Sequence, residues 1–177
     1  IKENLSIELG VSVGYDTIDK FWQKFEVNNT NLAGTARKIG LSAKRTSLMR
    51  KFETSFTEPW TFGYCWKTDL NLFDETREEP GYDLRRIGGR IAMGKAIYDH
   101  LNLLLSYGIE ESKLDNIRVN TITTVSKNLF NNYTISVIND TRDNLVNPTE
   151  GTYIEFSNEL TSSKGLTFIR SIERFKC

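Results

Sequence analysis

The chain is short of several things that would otherwise direct a reading. There is one histidine, His100, and there are two cysteines, Cys65 and Cys177, among 177 residues. A single histidine restricts any Ser-His-Asp triad to one arrangement, and no glycine elbow accompanies a serine. Cysteines this far apart do not form a disulfide framework, and no His/Cys cluster has metal-ligand spacing. No metal site, no cofactor site and no catalytic residue is therefore predicted. Net charge is also missing, since 23 basic residues balance 23 acidic ones. Without a basic field or a Lys/Arg cluster interleaved with aromatics, a nucleic-acid partner is set aside. No run of about 18 apolar residues exists, which excludes a spanning helix but not a β-barrel, whose strands need only about 9–11 residues. The start at Ile1 carries neither an initiator Met nor a signal peptide, so the chain is expected to be cut from something longer.

What is present is alternation. Leu5, Ile7, Leu9, Val11, Val13 and Tyr15 alternate with Ser6, Glu8, Gly10, Ser12 and Gly14. Such strict period two marks a strand with one apolar face. The pattern returns at Leu101, Leu103, Leu105, Tyr107 and Ile109, and more weakly at 66–72 and 154–157. Turn residues accumulate at 28–34, 58–63, 74–81 and 144–151. About ten strands follow, at 4–15, 20–28, 35–46, 48–57, 63–74, 83–95, 99–112, 129–142, 152–162 and 166–176.

Hydrophobic residues make up 38% of the chain, too few for a thick two-sided core. The strands also exceed the five or six residues usual in soluble sheets. One face carries Gly, Ser, Thr and charge, as at Arg86, Gly88, Arg90, Ala92 and Gly94, which suits a wet lumen. A soluble antiparallel sheet with one solvated face alternates in the same way, so pattern alone leaves both readings open.

Four stretches, in order, bear on the choice: Asn29–Thr35 (NTNLAGT, with Ala33 inserted before Gly34), Phe56–Gly63 (FTEPWTFG), a glycine-bearing strand and L-x-L-x-Y strand between Arg86 and Tyr107, and Asp140–Leu160 (DTRDNLVNPTEGTYIEFSNEL). In the second, Pro59 cannot donate to a ladder and belongs at a strand end, Gly63 permits a turn, and Trp60 and Phe62 fit an interfacial aromatic girdle or the cap of a soluble core. In the last, Asp140, Arg142, Asp143 and Asn144 have the composition of a structural ion-pair network closed by Pro148 and Gly151, rather than of a catalytic carboxylate pair.

Together these stretches resemble the BamA-type bacterial surface-antigen superfamily of outer-membrane protein assembly factors. The resemblance implies an all-β fold, a transmembrane antiparallel up-and-down β-barrel, with residues 1–177 supplying about ten consecutive strands from the N-terminal portion of a barrel of about sixteen. POTRA domains, a V-R-G-[FY] loop element and the closing strands are not in the chain. The family topology would place the turns near 29–34, 58–62, 95–98 and 147–151 in the periplasm. Loops near 16–19, 75–82, 113–128 and 162–165 would face outward and be the longer ones.

The implied function is folding and insertion of barrel proteins into the outer membrane by strand exchange at a lateral seam. Unfolded outer-membrane proteins, outer-membrane lipid and accessory assembly subunits are the implied partners. The alternatives are a translocation or secretion pore of the same superfamily and, from another class, a soluble or surface-exposed β-sheet binding domain. Leu5, Ile7, Leu9, Gly10, Val11, Val13, Gly14 and Tyr15 would form the seam strand, while Gly34, Glu58, Pro59, Trp60, Gly63, Asp140, Arg142, Asp143, Pro148 and Gly151 would shape the turns. Gly10 and Gly14 either ease opening of the seam or fit a crowded wall, and glycine in a strand supports both readings.

Overall fold

The computed structural model describes residues 6–18, 20–117, 127–144 and 146–176. They form one sheet of ten strands: β1 (Ile7–Asp16), β2 (Lys20–Leu32), β3 (Arg37–Thr46), β4 (Met49–Glu58), β5 (Lys67–Glu79), β6 (Tyr82–Tyr98), β7 (Leu101–Asp115), β8 (Lys127–Asp140), β9 (Tyr153–Ser163) and β10 (Leu166–Lys176). Each strand pairs antiparallel with the next, in the order β1 to β10. This is the all-β, antiparallel up-and-down arrangement that the family resemblance implies. The sheet is open.

Several boundaries differ from the sequence reading: β2 runs on to Leu32, β5 begins at Lys67, and β6 runs through the predicted 95–98 turn to Tyr98. The turn placed at 74–81 shrinks to Pro80-Gly81, and β5 continues to Glu79. Asp74 and Glu75 remain in the ladder because Arg85 and Arg86 on β6 reach them at 3.0 and 2.9 Å. Lys113–Asp115, read as the start of the outer loop near 113–128, likewise belongs to β7. Lys127 on β8 binds Glu111 at 2.8 Å, and Lys113 binds Asp115 at 2.7 Å. Residues 118–126 of that predicted loop lie outside the described residues.

Connection length also departs from expectation. Hairpins at Ser47-Leu48, Pro80-Gly81 and Lys164-Gly165, on the end predicted to carry longer loops, are two-residue turns. Segments 59–66 and 141–152, on the opposite end, are longer. They are held by their own hydrogen bonds, among them Thr61 N–H to the Trp66 carbonyl at 3.0 Å and Asp143 N–H to the Glu150 carbonyl at 3.1 Å.

The two faces invert the soluble rule. No described hydrophobic residue is buried, whereas Thr46, Glu75, Ser106, Ser136, Ser157 and Ser163 are. Apolar side chains lie outside: Leu9 is 76% exposed, Val11 68% and Phe52 52%. An apolar surface of this extent is one that water does not tolerate uncovered. Polar groups on that face satisfy one another. Tyr107 Oη donates to Asn131 Oδ1 at 2.8 Å, and Ser171 Oγ donates to Asn158 Oδ1 at 2.6 Å. Such pairing is what a surrounding lacking water demands.

The inner face is polar and concave. Residues of β5 to β10 line a hollow of about 510 Å³ containing Arg90, Glu110, Glu155, Glu159, Arg170 and Arg174. Cross-strand pairs lace it: Arg170 to Glu159, Arg174 to Glu155 at 2.8 Å, Arg90 to Ser106 at 2.9 Å and Ser136 with Ser157 at 2.8 Å.

Candidate functional site

β1, the strand expected to form one side of a seam, runs antiparallel to β2 with continuous register from Ile7↔Asn29 to Asp16↔Lys20. Ile7, Leu9, Val11, Val13 and Tyr15 point to the apolar face and all are exposed. Leu5, assigned to this strand from the sequence, lies outside the described residues. Among the described residues β1 has a strand partner on one side alone, so the N–H and C=O groups of its other edge have no ladder.

The two inner glycines of β1 differ. A Cβ on Gly10 would meet Glu26 at 3.5 Å, an ordinary contact. A Cβ on Gly14 would lie 2.5 Å from the Trp22 ring, so this glycine admits the indole against the strand. Lys44 Nζ sits 6.0 Å from the centre of that ring.

The turns gather at one end of the sheet. In the β2–β3 turn the register shifts between Asn29 and Leu32, and Ala33, Gly34 and Ala36 have φ of 53°, 72° and 58°. Asn31 Oδ1 accepts from the Ala36 N–H at 2.8 Å, closing the turn. Arg37, just past it, pairs with Glu58 at the end of β4, and Glu58 Oε1 also accepts from the Trp60 N–H at 3.4 Å. Glu58 thus ties the first two predicted motifs together. Pro59 follows β4 directly, and a short 3-10 turn covers Thr61–Gly63. Trp60 is 58% exposed and Phe62 92% exposed, the latter at φ 55°. They cap no core, which removes the soluble-core reading of these aromatics.

The fourth motif is an ion-pair network. Arg142 donates from Nε and Nη2 to both oxygens of Asp140, at 2.8 and 2.7 Å. Its guanidinium stacks on the Tyr153 ring, 4.8 Å from the centre. Tyr153 Oη donates to Glu155 at 2.7 Å, and Arg174 of β10 binds the same carboxylate. Both oxygens of Asp140 are thus engaged by Arg142. Among the described residues no group of His, Cys, Asp and Glu could hold a metal ion.

Asp143 organises the turn itself. Its carboxylate accepts from Thr149 Oγ1 at 2.6 Å and from the N–H groups of Thr149 and Glu150 at 2.9 and 3.1 Å. Donation by the Thr149 hydroxyl and then by these amides lowers its pKa from 3.8 to about 2. Because the folded value lies below the ordinary one, the contribution is complete above about pH 4 and is lost as pH falls toward 2. Hydrogen exchange of the Thr149 and Glu150 amides should be protected at pH 5 and accelerate beyond the intrinsic pH trend below about pH 3. Unchanged protection at pH 2 would contradict this role.

Reasoning from sequence missed the inner ladder of Arg86, Glu75 and Glu110 and the pairs that reach β10. Register alone brings these residues together, and no local spacing reveals them.

Long antiparallel strands, an exposed apolar outer face and a polar concave inner face define a segment of an outer-membrane-type β-barrel. The particular family follows from comparison: residues 31–174 match the Omp85 superfamily domain, and the chain belongs to that superfamily. The sheet is similar to the crystal structure of BamA from Haemophilus ducreyi lacking POTRA domains 1–3, with a TM-score of 0.70 at 18% identity. That likeness covers 93% of this chain and 35% of the other, so the chain spans about a third of the length of that protein. No curated protein matches the sequence.

Proposed function

We propose that this chain is the N-terminal portion of the barrel of an outer-membrane assembly factor, which folds and inserts other barrel proteins by strand exchange at a lateral seam. Superfamily membership supports the class of activity. The observation that supports the seam is β1 itself, a first strand paired in continuous register with β2 and carrying a row of exposed apolar side chains. An incoming strand gains a ladder along the other edge of β1, which offsets the several kcal/mol per unsatisfied group that lipid imposes. Unfolded outer-membrane proteins are then the substrates, and the outer membrane is the location.

The test uses the full-length protein in vesicles, with Cys65 and Cys177 replaced by serine and one cysteine placed at a time at Leu9, Ser12 or Val13. An unfolded barrel substrate carrying a cysteine in its terminal strand is added. Crosslinks are expected at β1 during folding, alternating with the face of the strand, and not at control positions on β5. Substrate that folds at the accelerated rate without any β1 crosslink would sink the proposal.

A further inference from the structure

The outward face carries a charge pattern that neither the seam nor the turns use. On β3, β4, β6, β7 and β8 the outward apolar residues give way, toward the same end of the sheet, to a cation: Arg45, Arg50, Arg85, Lys113 and Lys127. Three of these are neutralised nearby, Arg85 by Asp74, Lys113 by Asp115 and Lys127 by Glu111. Arg45 and Arg50 are not. They face each other directly across the β3–β4 ladder, both are exposed, and among the described residues neither guanidinium has a hydrogen bond or ion pair.

Two like charges directly opposed across strands destabilise the pair unless an anion sits between them. Of the two carboxylates diagonal to Arg50 on that face of β5, Asp74 is held by Arg85 and Glu78 has an interaction of its own. Just inward of the two arginines on the same face lie Ala43 and Phe52, then Leu41, with Phe52 and Leu41 about half exposed. A ligand that fits must therefore carry an anionic group for two planar forks and an apolar portion for the strip beside them. A phosphate is the matching anion, since guanidinium binds it bidentately. The level is also suitable, because headgroups lie where the apolar band of a barrel ends.

We infer that Arg45 and Arg50 bind the phosphate of an anionic lipid headgroup, with its acyl chains lying over Phe52 and Leu41. This rests on the reading of the apolar face as lipid-facing. The bound lipid neutralises the arginine pair and stabilises the β3–β4 hairpin in its membrane-embedded form.

The test reconstitutes the full-length protein in vesicles of phosphatidylcholine and phosphatidylglycerol, washes them at alkaline pH, extracts the protein gently and weighs it by native mass spectrometry. The wild type should survive the wash and retain phosphatidylglycerol over phosphatidylcholine. In R45Q/R50Q the ratio of phosphatidylglycerol-bound to lipid-free protein should fall about fivefold for each charge removed, from roughly 1 kcal/mol per basic residue at a membrane surface. R45K/R50K, which keeps both charges, should retain most of the preference and shows that the outward face tolerates replacement. An unchanged ratio in R45Q/R50Q overturns the lipid site, as does equal retention of the two lipids by the wild type. Release of the wild type by the wash overturns the membrane reading, and the lipid site with it.

Discussion

Replacing Gly151 with alanine is expected to destabilise the barrel segment by roughly 2–4 kcal/mol, the largest effect of any single substitution considered. Two costs combine at this position. Its φ is 96°, in the region that L residues rarely adopt. A Cβ built there would also overlap the backbone carbonyl of Thr141 and lie 2.8 Å from Arg142 Cα, and backbone cannot step aside as a flexible side chain can. Relief requires opening the Thr141–Thr152 closure, where each residue donates its N–H to the other: Thr141 to the Thr152 carbonyl at 2.9 Å and Thr152 to the Thr141 hydroxyl at 2.9 Å. That closure sets the register of β8 against β9. Gly34→Ala is the control, since Gly34 has φ 72° but nothing within 4 Å of an added Cβ, and should cost only about 1 kcal/mol. Urea unfolding in detergent micelles reads both variants. Equal losses would show that the overlap with Thr141 is not what makes Gly151 necessary.

Glu75→Gln should cost roughly 1–3 kcal/mol, the second largest effect. Glu75 is 7% exposed on the inner face, and Arg86 Nη2 donates to it at 2.9 Å. The remaining acid near Arg86 is Glu110 at 3.9 Å, and Arg86 Nε is buried without a partner. Neutralising Glu75 therefore removes the main counter-charge of a cation with little alternative. The Arg86 side chain is 38% exposed, and water reaching it tempers the loss. A double-mutant cycle with Arg86→Gln isolates the pair. The double variant should lose clearly less than the sum of the singles, and strict additivity would mean that the two residues do not act together.

Both predictions concern residues whose importance comes from different levels of the chain. Gly151 stands in a motif that can be picked out from sequence, in a stretch where Asn, Pro and Gly announce a turn. Glu75 cannot be picked out that way. It lies in a segment whose Asp, Glu and Arg content suits a loop, and the sequence reading ended the strand before it. Only the facing Arg85 and Arg86 turn that polar run into ladder. The same reason explains why β7 runs on to Asp115, since Lys127 of the next strand binds Glu111 beside that end. Polar residues near strand ends look like loop whenever their partners are distant in sequence.

The first strand shows the same division. Alternation from Ile7 to Tyr15 is sufficient to identify a strand with one apolar face. It does not distinguish the two inner glycines, because the residue that needs the space at Gly14 is Trp22 on the neighbouring strand.

The sequence by itself determined that there are about ten strands, which face is apolar in those that alternate strictly, and where several of the turns fall. All of these follow from period-two alternation and turn chemistry, which act over a few residues. Only the tertiary structure decided where the long strands end, which carboxylates meet which arginines on the inner face, and that Arg45 and Arg50 stand opposed without a counter-ion among the described residues. Those outcomes depend on register between strands, and register is a property of paired backbones rather than of any one stretch of sequence.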